Sequence, residues 1–337
     1  MNKRVLITGA GGFIGGFIVE ESLRRGYETW AAIRKSTSRK YLNDERIKFV
    51  ELDLDNNDSQ ATAEILNAAL PKEEKWDYIV YNLGATKCTN FSDFNRINNE
   101  HLLSFIESLK ISGKVPEKFL FMSSLSALGP GDEKNYSPFT PQSIPAPNTK
   151  YGVSKLKAEM NLTMSDIPYI IFRSTGVYGP REKDYFLMFK SIKHGFDFSV
   201  GYRKQLLSFI YVEDLACGIF DALEKAPIGK TYIVAEERAY TQKEFRSIVA
   251  KELGKKLVIP LIMPLWAVYL VSVIAEKWGV ARMKPSTLNR DKFNIMKQRN
   301  WSADISSGQQ DFGFNPKTNL KEGINRSIKW YKENKWL

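Results

Sequence analysis

The chain has 337 residues, 43% of them hydrophobic and 26% charged. That suffices for one domain with a substantial lobe, or for two joined domains, and it excludes a wholly disordered polymer. With 49 Lys and Arg against 38 Asp and Glu the formal net charge is +11, but the cations are scattered. Without a basic block or a zinc-finger spacing, no nucleic-acid partner is expected. Cys88 and Cys217 stand far apart and supply neither a disulfide framework nor a metal site. The opening residues, Met1 to Gly9, pass through a short apolar run directly into a glycine turn, too short for a signal-peptide core, so a cytoplasmic protein is expected.

In chain order, β-rich runs alternate with helical periodicity. Strands are predicted over 4–8, 29–33, 47–52, 78–83, 118–123 and 169–173, and helices over 13–25, 61–70, 98–109 and 151–164. Repeated β-α-β units predict an α/β fold, a doubly wound parallel sheet of the Rossmann type. The Pro-, Ser- and Gly-rich stretch 129–149 reads as a surface loop bordering the helix that follows. The expected division is a dinucleotide domain over 1–175, to which 206–226 returns, and a smaller mixed C-terminal substrate lobe from 176–205 and 227–337. Residues 257–275 carry no charge and approach the ~20 residues of a membrane span, but Pro260 and Pro264 divide them. A pocket wall or a surface resting on lipid is the expectation there, and 324–336 reads as an amphipathic closing helix. His101 and His194 belong to no ligand-spaced cluster.

Gly9, Gly11, Gly12, Phe13, Ile14 and Gly15 lie between the first strand and the first helix. Glycines at 9, 12 and 15 allow a tight turn, close approach of a pyrophosphate to backbone, and close helix-to-strand packing. The end of the second strand discriminates cofactors, because a carboxylate there would hold ribose hydroxyls whereas an arginine accommodates a 2′-phosphate. Here Arg34 and Lys35 follow Ile33 with no acid, which predicts NADP(H) over NAD(H), with Arg34 the main contact and NAD(H) still admissible. Tyr151 and Lys155 are four apart and share a helix face. A tyrosine titrates near ~10, and a nearby ammonium favours its phenolate, as proton transfer beside a hydride donor requires.

Together these motifs resemble the extended short-chain dehydrogenase/reductase family, the NAD-dependent epimerase/dehydratase group, over nearly the whole chain. TGAGGFIG at 8–15 resembles its cofactor turn, Asp53-Leu54 its adenine-contacting pair, and Asn82-Leu83-Gly84-Ala85 its HLAA-like stretch with the His replaced. Asn98 matches the central-helix asparagine, SSLSALG at 123–129 the serine stretch, YGVSK the YxxxK motif, RSTGVYGP at 173–180 the RxxxVYGP strand, and FIYVEDLA at 209–216 the FIYVDDVA element. The resemblance implies that Tyr151 is the acid or base, that Lys155 tunes it and holds the nicotinamide ribose, and that Ser124 bonds the substrate oxygen. Asn98 would support the active-site helix. Leu83, Gly84 and Ala85 would contact cofactor, and Thr86, Ser124, Gly176 and Tyr178 substrate. A homodimer through 98–110 and 151–164 is also implied.

Within that family, Gly176 stands where nucleotide-sugar enzymes commonly carry asparagine, and Leu207 where they tend to carry arginine. The expectation is therefore closer to the 3β-hydroxysteroid dehydrogenase and dihydroflavonol reductase-like branch: an NADP(H)-dependent oxidoreductase acting on a ketone or alcohol of a hydrophobic substrate. The alternatives are a nucleotide-sugar 4-epimerase or reductase, and a dinucleotide-binding sensor without catalysis. An anionic membrane surface is a further expected peripheral contact, given the basic balance.

Overall fold

The computed structural model describes residues 3–71, 73–283, 286 and 288–337; Met1 and Asn2 of the opening run lie outside them. The first part of the chain runs β1 (Arg4–Thr8), α1 (Phe13–Arg24), β2 (Glu28–Ile33), β3 (Lys48–Glu51), α2 (Ser59–Ala69) and β4 (Tyr78–Tyr81). It continues through α3 (Ser92–Asn95), a π-helical turn (Arg96–Glu100), α4 (His101–Ile111), β5 (Lys118–Ser124), α5 (Lys150–Thr163) and β6 (Tyr169–Ser174). There follow β7 (Gly176–Tyr178), α6 (Asp184–Lys193), β8 (Phe196–Val200), β9 (Leu206–Tyr211), α7 (Val212–Lys225), β10 (Lys230–Val234) and β11 (Ala239–Thr241). The chain closes with α8 (Gln242–Glu252), β12 (Ile259–Met263), α9 (Leu265–Ala281), α10 (Arg290–Met296), β13 (Asn300–Trp301), α11 (Ser306–Phe312) and α12 (Leu320–Glu333).

Seven strands form one parallel sheet in the order β10-β6-β5-β4-β1-β2-β3. Both faces are covered, so its strands read as continuous apolar runs. Ile7, Val80, Leu120 and Ile170 face α1 and α7, while Leu6, Ile79, Phe119 and Ile171 face α2, α4 and α5. Each such burial contributes about 1.5–3 kcal/mol before entropy is counted. Strand order reverses between β1 and β4, and a crevice at such a switch point is where doubly wound sheets take ligands.

The seventh strand, β10, pairs with β6. Sequence reading assigned 227–337 to the smaller lobe, yet 230–234 complete the main sheet, because the edge of β6 offers an unpaired ladder that only a long-range return can fill. Conversely, within 206–226, α7 packs on α1, while β9 pairs with β7, β11 and β13 in a separate sheet. The lobe's core gathers Phe189, Phe209, Phe245, Ile324 and Tyr331 from α6, β9, α8 and α12. Among the described residues, no helix is long and apolar enough to cross a membrane.

Candidate active site

The glycine turn is built as its chemistry requires. Gly9 sits at φ +66°, a left-handed conformation that costs an L-residue, and its carbonyl accepts from Gly12 N at 3.0 Å. A Cβ on Gly15 would stand 2.1 Å from Gly9 O, so no larger residue fits between helix and turn. Helix α1 begins behind Gly12 with no side-chain cap, which leaves its first N–H groups for an anion. A dinucleotide pyrophosphate fits this cradle. Phe13 and Ile14 are half-buried and pack their side chains against the core, while their backbone N–H groups lie in the first turn of α1.

The loop after β2 folds over the same turn. A Cβ on Gly11 would meet Thr37 Cγ2 at 2.1 Å, and Thr37 closes a tight turn by donating to Arg34 O at 2.9 Å. Arg34 and Lys35 are exposed, and Arg39 stacks 4.2 Å above the Phe49 ring. Arg34 has an acid neighbour the sequence did not show: Asp55, at 3.8 Å. Asp55 is engaged first by Arg96 at 2.8 Å, and that bond, with His101 and Arg34, holds its carboxyl below the usual range. Arg34 therefore keeps most of its donors free. Asp53 is exposed and accepts from Asp55 N, while Leu54 is buried beneath it.

On the far side of the crevice, the proton-transfer residues are fixed from α5. Thr149 caps that helix by accepting from Gly152 N. Asp291 of α10 accepts from Lys150 N at 2.7 Å and Tyr151 N at 3.1 Å, satisfying two more N–H groups of the first turn. Sequence reading missed Asp291 because nothing local links it to α5. Lys155, buried, donates to Met122 O at 2.8 Å and stands 4.8 Å from the Phe121 ring. Burial pulls its amine down to about 8, with Glu159 opposing. Glu159 is itself locked between Arg173, at 2.7 Å, and the Ser123 hydroxyl. Ser123 is thus a structural partner, whereas Ser124 faces the site.

The expectation that Lys155 lowers the Tyr151 phenol does not describe this state. Burial dominates and pushes the phenol up, with a hydrogen bond from Ser124 working against it. The reason is that Lys155 spends its bond on a backbone carbonyl. A phenol is protonated at neutral pH even unperturbed, and burial only reinforces that form, the one a general acid needs. Phe94 lies 6.1 Å from the Tyr151 ring and Phe91 stacks on Phe94, so this flank is aromatic.

Asn98 is fully buried, and its amide is consumed within the protein. It donates to Ala85 O at 3.0 Å and Ser154 Oγ at 2.9 Å, and accepts from Ala85 N at 2.8 Å. It therefore clamps the 83–85 loop to the active-site helix, with both amide hydrogens spent inside the protein. The π turn over Arg96–Glu100 carries it; an extra residue in that turn re-aims the side chain. Gly84 lies against this clamp, since its Cβ would meet Asn98 Oδ1 at 2.9 Å and Lys155 Nζ at 3.0 Å.

Of the expected substrate contacts, Thr86 is exposed and Gly176 half-buried. Tyr178 is corrected. It lies in the lobe core, 1% exposed, against Gly323. Alternation along β7 sends the half-buried Val177 toward the main core and Tyr178 into the lobe core. The Tyr185 hydroxyl instead occupies the space beside Gly176, where a Cβ would come within 2.2 Å of it. The Tyr185 backbone N–H donates to Glu182 Oε2 at 2.5 Å, and its neighbour Asp184 bridges Lys87 at 2.5 Å and Lys292 at 3.6 Å. Cys88 and Cys217 have thiols pushed up to about 11 by burial, which keeps them out of nucleophilic chemistry.

The model of the NAD dependent epimerase/dehydratase family matches residues 5–235, spanning the turn, the serine, the Tyr-Lys pair and the strand that completes the sheet. The chain belongs to this family. Among curated relatives, a ceramide reductase of Caulobacter vibrioides is 22% identical over 99% of this chain and 96% of its own. A decarboxylating sterol-4-alpha-carboxylate 3-dehydrogenase of Dictyostelium discoideum is 25% identical over 96% of this chain and 99% of its own. The Bordetella bronchiseptica enzyme WbmG, solved with NAD and UDP, superposes with a TM-score of 0.77 at 20% identity, covering 99% of this chain and 96% of that one. That likeness shows the shared fold. The protein is an oxidoreductase of this nicotinamide-dependent family.

Proposed function

We propose that the protein reduces a ketone, or oxidises the matching alcohol, of a hydrophobic, lipid-like substrate with NADP(H). The observation that carries this is Tyr151 at the start of α5, one helical turn from the buried Lys155 and flanked by the aromatic rings of Phe94 and Phe91. Bound at the glycine turn, the cofactor would supply a hydride to the carbonyl carbon. Tyr151 gives its proton to the carbonyl oxygen, which Ser124 orients. Lys155, still cationic at neutral pH, stabilises the phenolate left behind. Arg34 and Lys35, exposed beside the turn, would receive the 2′-phosphate. The names of two relatives support a lipid class: one is a ceramide reductase, the other a sterol carboxylate dehydrogenase. The exposed Val153 and Met160 of α5 support pairing of two copies along that helix. To test the reading, NADPH consumption is followed with keto-sphingoid and keto-sterol substrates and with UDP- and GDP-sugars. Turnover of an apolar ketone, abolished by Tyr151→Phe, is expected; efficient interconversion of nucleotide-sugar epimers would overturn it.

A further inference from the structure

Helix α9 wears its apolar side chains outward. Of its 17 residues only Val268 and Ser272 are buried. Trp266, Leu270, Ile274 and Trp278 recur every four residues along one stripe and are 73%, 53%, 54% and 57% exposed. A surface helix ordinarily turns charge to water there, and a helix apolar all round must be covered by something. Beside it, among the described residues, β12 pairs only with β8 in a two-stranded ribbon whose Ile262 and Phe198 also face outward. Pro264 joins ribbon to helix directly, and Val200, Val268 and Phe293 pin the two together.

Charge decides what covers this face. Residues 251–283 hold five Lys or Arg against two acids, Glu252 and Glu276, and Glu276 is occupied by Arg290 at 2.6 Å. The ribbon's flanks, 190–204, add four more cations against Asp197, which is buried with Arg246. A second copy docked on the same face would bring these cations together. A span is excluded too, since a helix of this length reaches only ~25 Å. We propose that this face docks on an anionic lipid bilayer. Helix α9 lies in the plane of the interface, its stripe and the ribbon reach into the acyl boundary, and Lys255, Lys256, Lys277 and Arg282 meet headgroup phosphates.

The docked face also borders the substrate site. Phe293 of α10 packs on Tyr269 of α9 at 5.4 Å, its neighbour Asp291 holds the start of α5, and Arg290 stands 5.7 Å over Phe91. An apolar substrate would then pass from bilayer to Tyr151 along protein. Lipid docking goes beyond the functional reading and stands without it.

The test is flotation of the whole protein with phosphatidylcholine vesicles and with vesicles that also contain phosphatidylglycerol. Binding to the anionic vesicles is expected. It should weaken about thirtyfold in K255Q/K256Q and disappear in W266E/L270E, while that variant still binds NADPH and keeps its circular dichroism. No flotation with either vesicle, or flotation unchanged in W266E/L270E, would overturn the proposal. So would sedimentation showing a dimer that W266E/L270E alone dissolves, which would assign the face to a second copy. Turnover of detergent-dissolved ketones is measured in parallel, so failure of docking and failure of the substrate reading are read separately.

Discussion

Replacing Lys155 by methionine should stabilise the protein while disabling it, and the stabilisation should fade with rising pH. The Lys155 ammonium is 4% exposed and rests on one carbonyl bond and one ring face. Burial lowers its amine from 10.5 to about 8. The native state therefore sheds this proton earlier than the unfolded chain. The cost is fully present below about pH 8 and is removed as pH rises toward 10.5, where the unfolded chain also loses its proton. The separation corresponds to about 3 kcal/mol, most of which should be recovered between pH 7 and about pH 10. Loss of the bond to Met122 O offsets some of the variant's gain by about 1–2 kcal/mol at every pH. The informative quantity is thus the change with pH of the difference between the two proteins, in which titrations common to both cancel. Urea unfolding followed by tryptophan fluorescence at the two pH values measures it, and activity should fall about 100-fold or more. A difference that stays constant with pH, or that grows in favour of Lys155→Met, would refute the argument.

Three further substitutions probe the rest of the site. If Arg34 receives the 2′-phosphate as proposed, Arg34→Ala should weaken NADPH binding about 10- to 100-fold and leave NADH binding unchanged in titrations of cofactor fluorescence. Asp291→Ala strips an acceptor from two N–H groups at the start of α5. It should cost about 1–2 kcal/mol in chemical unfolding and lower kcat more than it raises KM, because Tyr151 loses its seat. Tyr185→Phe removes the hydroxyl that fills the space beside Gly176. It should raise KM several-fold and leave kcat within about twofold.

What could be read from the sequence was what local constraint enforces. The left-handed φ of Gly9 and the clearance of Gly15 from Gly9 O are constraints within seven residues, and Tyr151 and Lys155 share a face through helix geometry alone. The seven-stranded sheet followed from alternating periods, except for β10, whose pairing with β6 is a long-range return that no local pattern encodes. The π turn that aims Asn98 leaves no signature in periodicity, so a plain helix was expected there. Asp291 is bound to α5 across 141 residues, and Asp55 became a partner of Arg34 only when β2 and β3 came side by side. Tyr178 was misplaced because a motif position does not say which face of a strand it occupies. The apolar run at 257–275 was visible, but that its side chains face outward was not, since exposure is a property of what the segment packs against.

The central claim is that Tyr151 protonates an apolar ketone as a hydride reaches its carbon. The most direct measurement supplies NADPH deuterated at the nicotinamide C4 and analyses the products by mass spectrometry and NMR. One deuterium is expected at the new carbinol carbon of a ketolipid or ketosterol, in a single configuration, and no such product with Tyr151→Phe. No transfer to any apolar ketone, together with epimerisation of a nucleotide sugar in which no deuterium is gained, would contradict it.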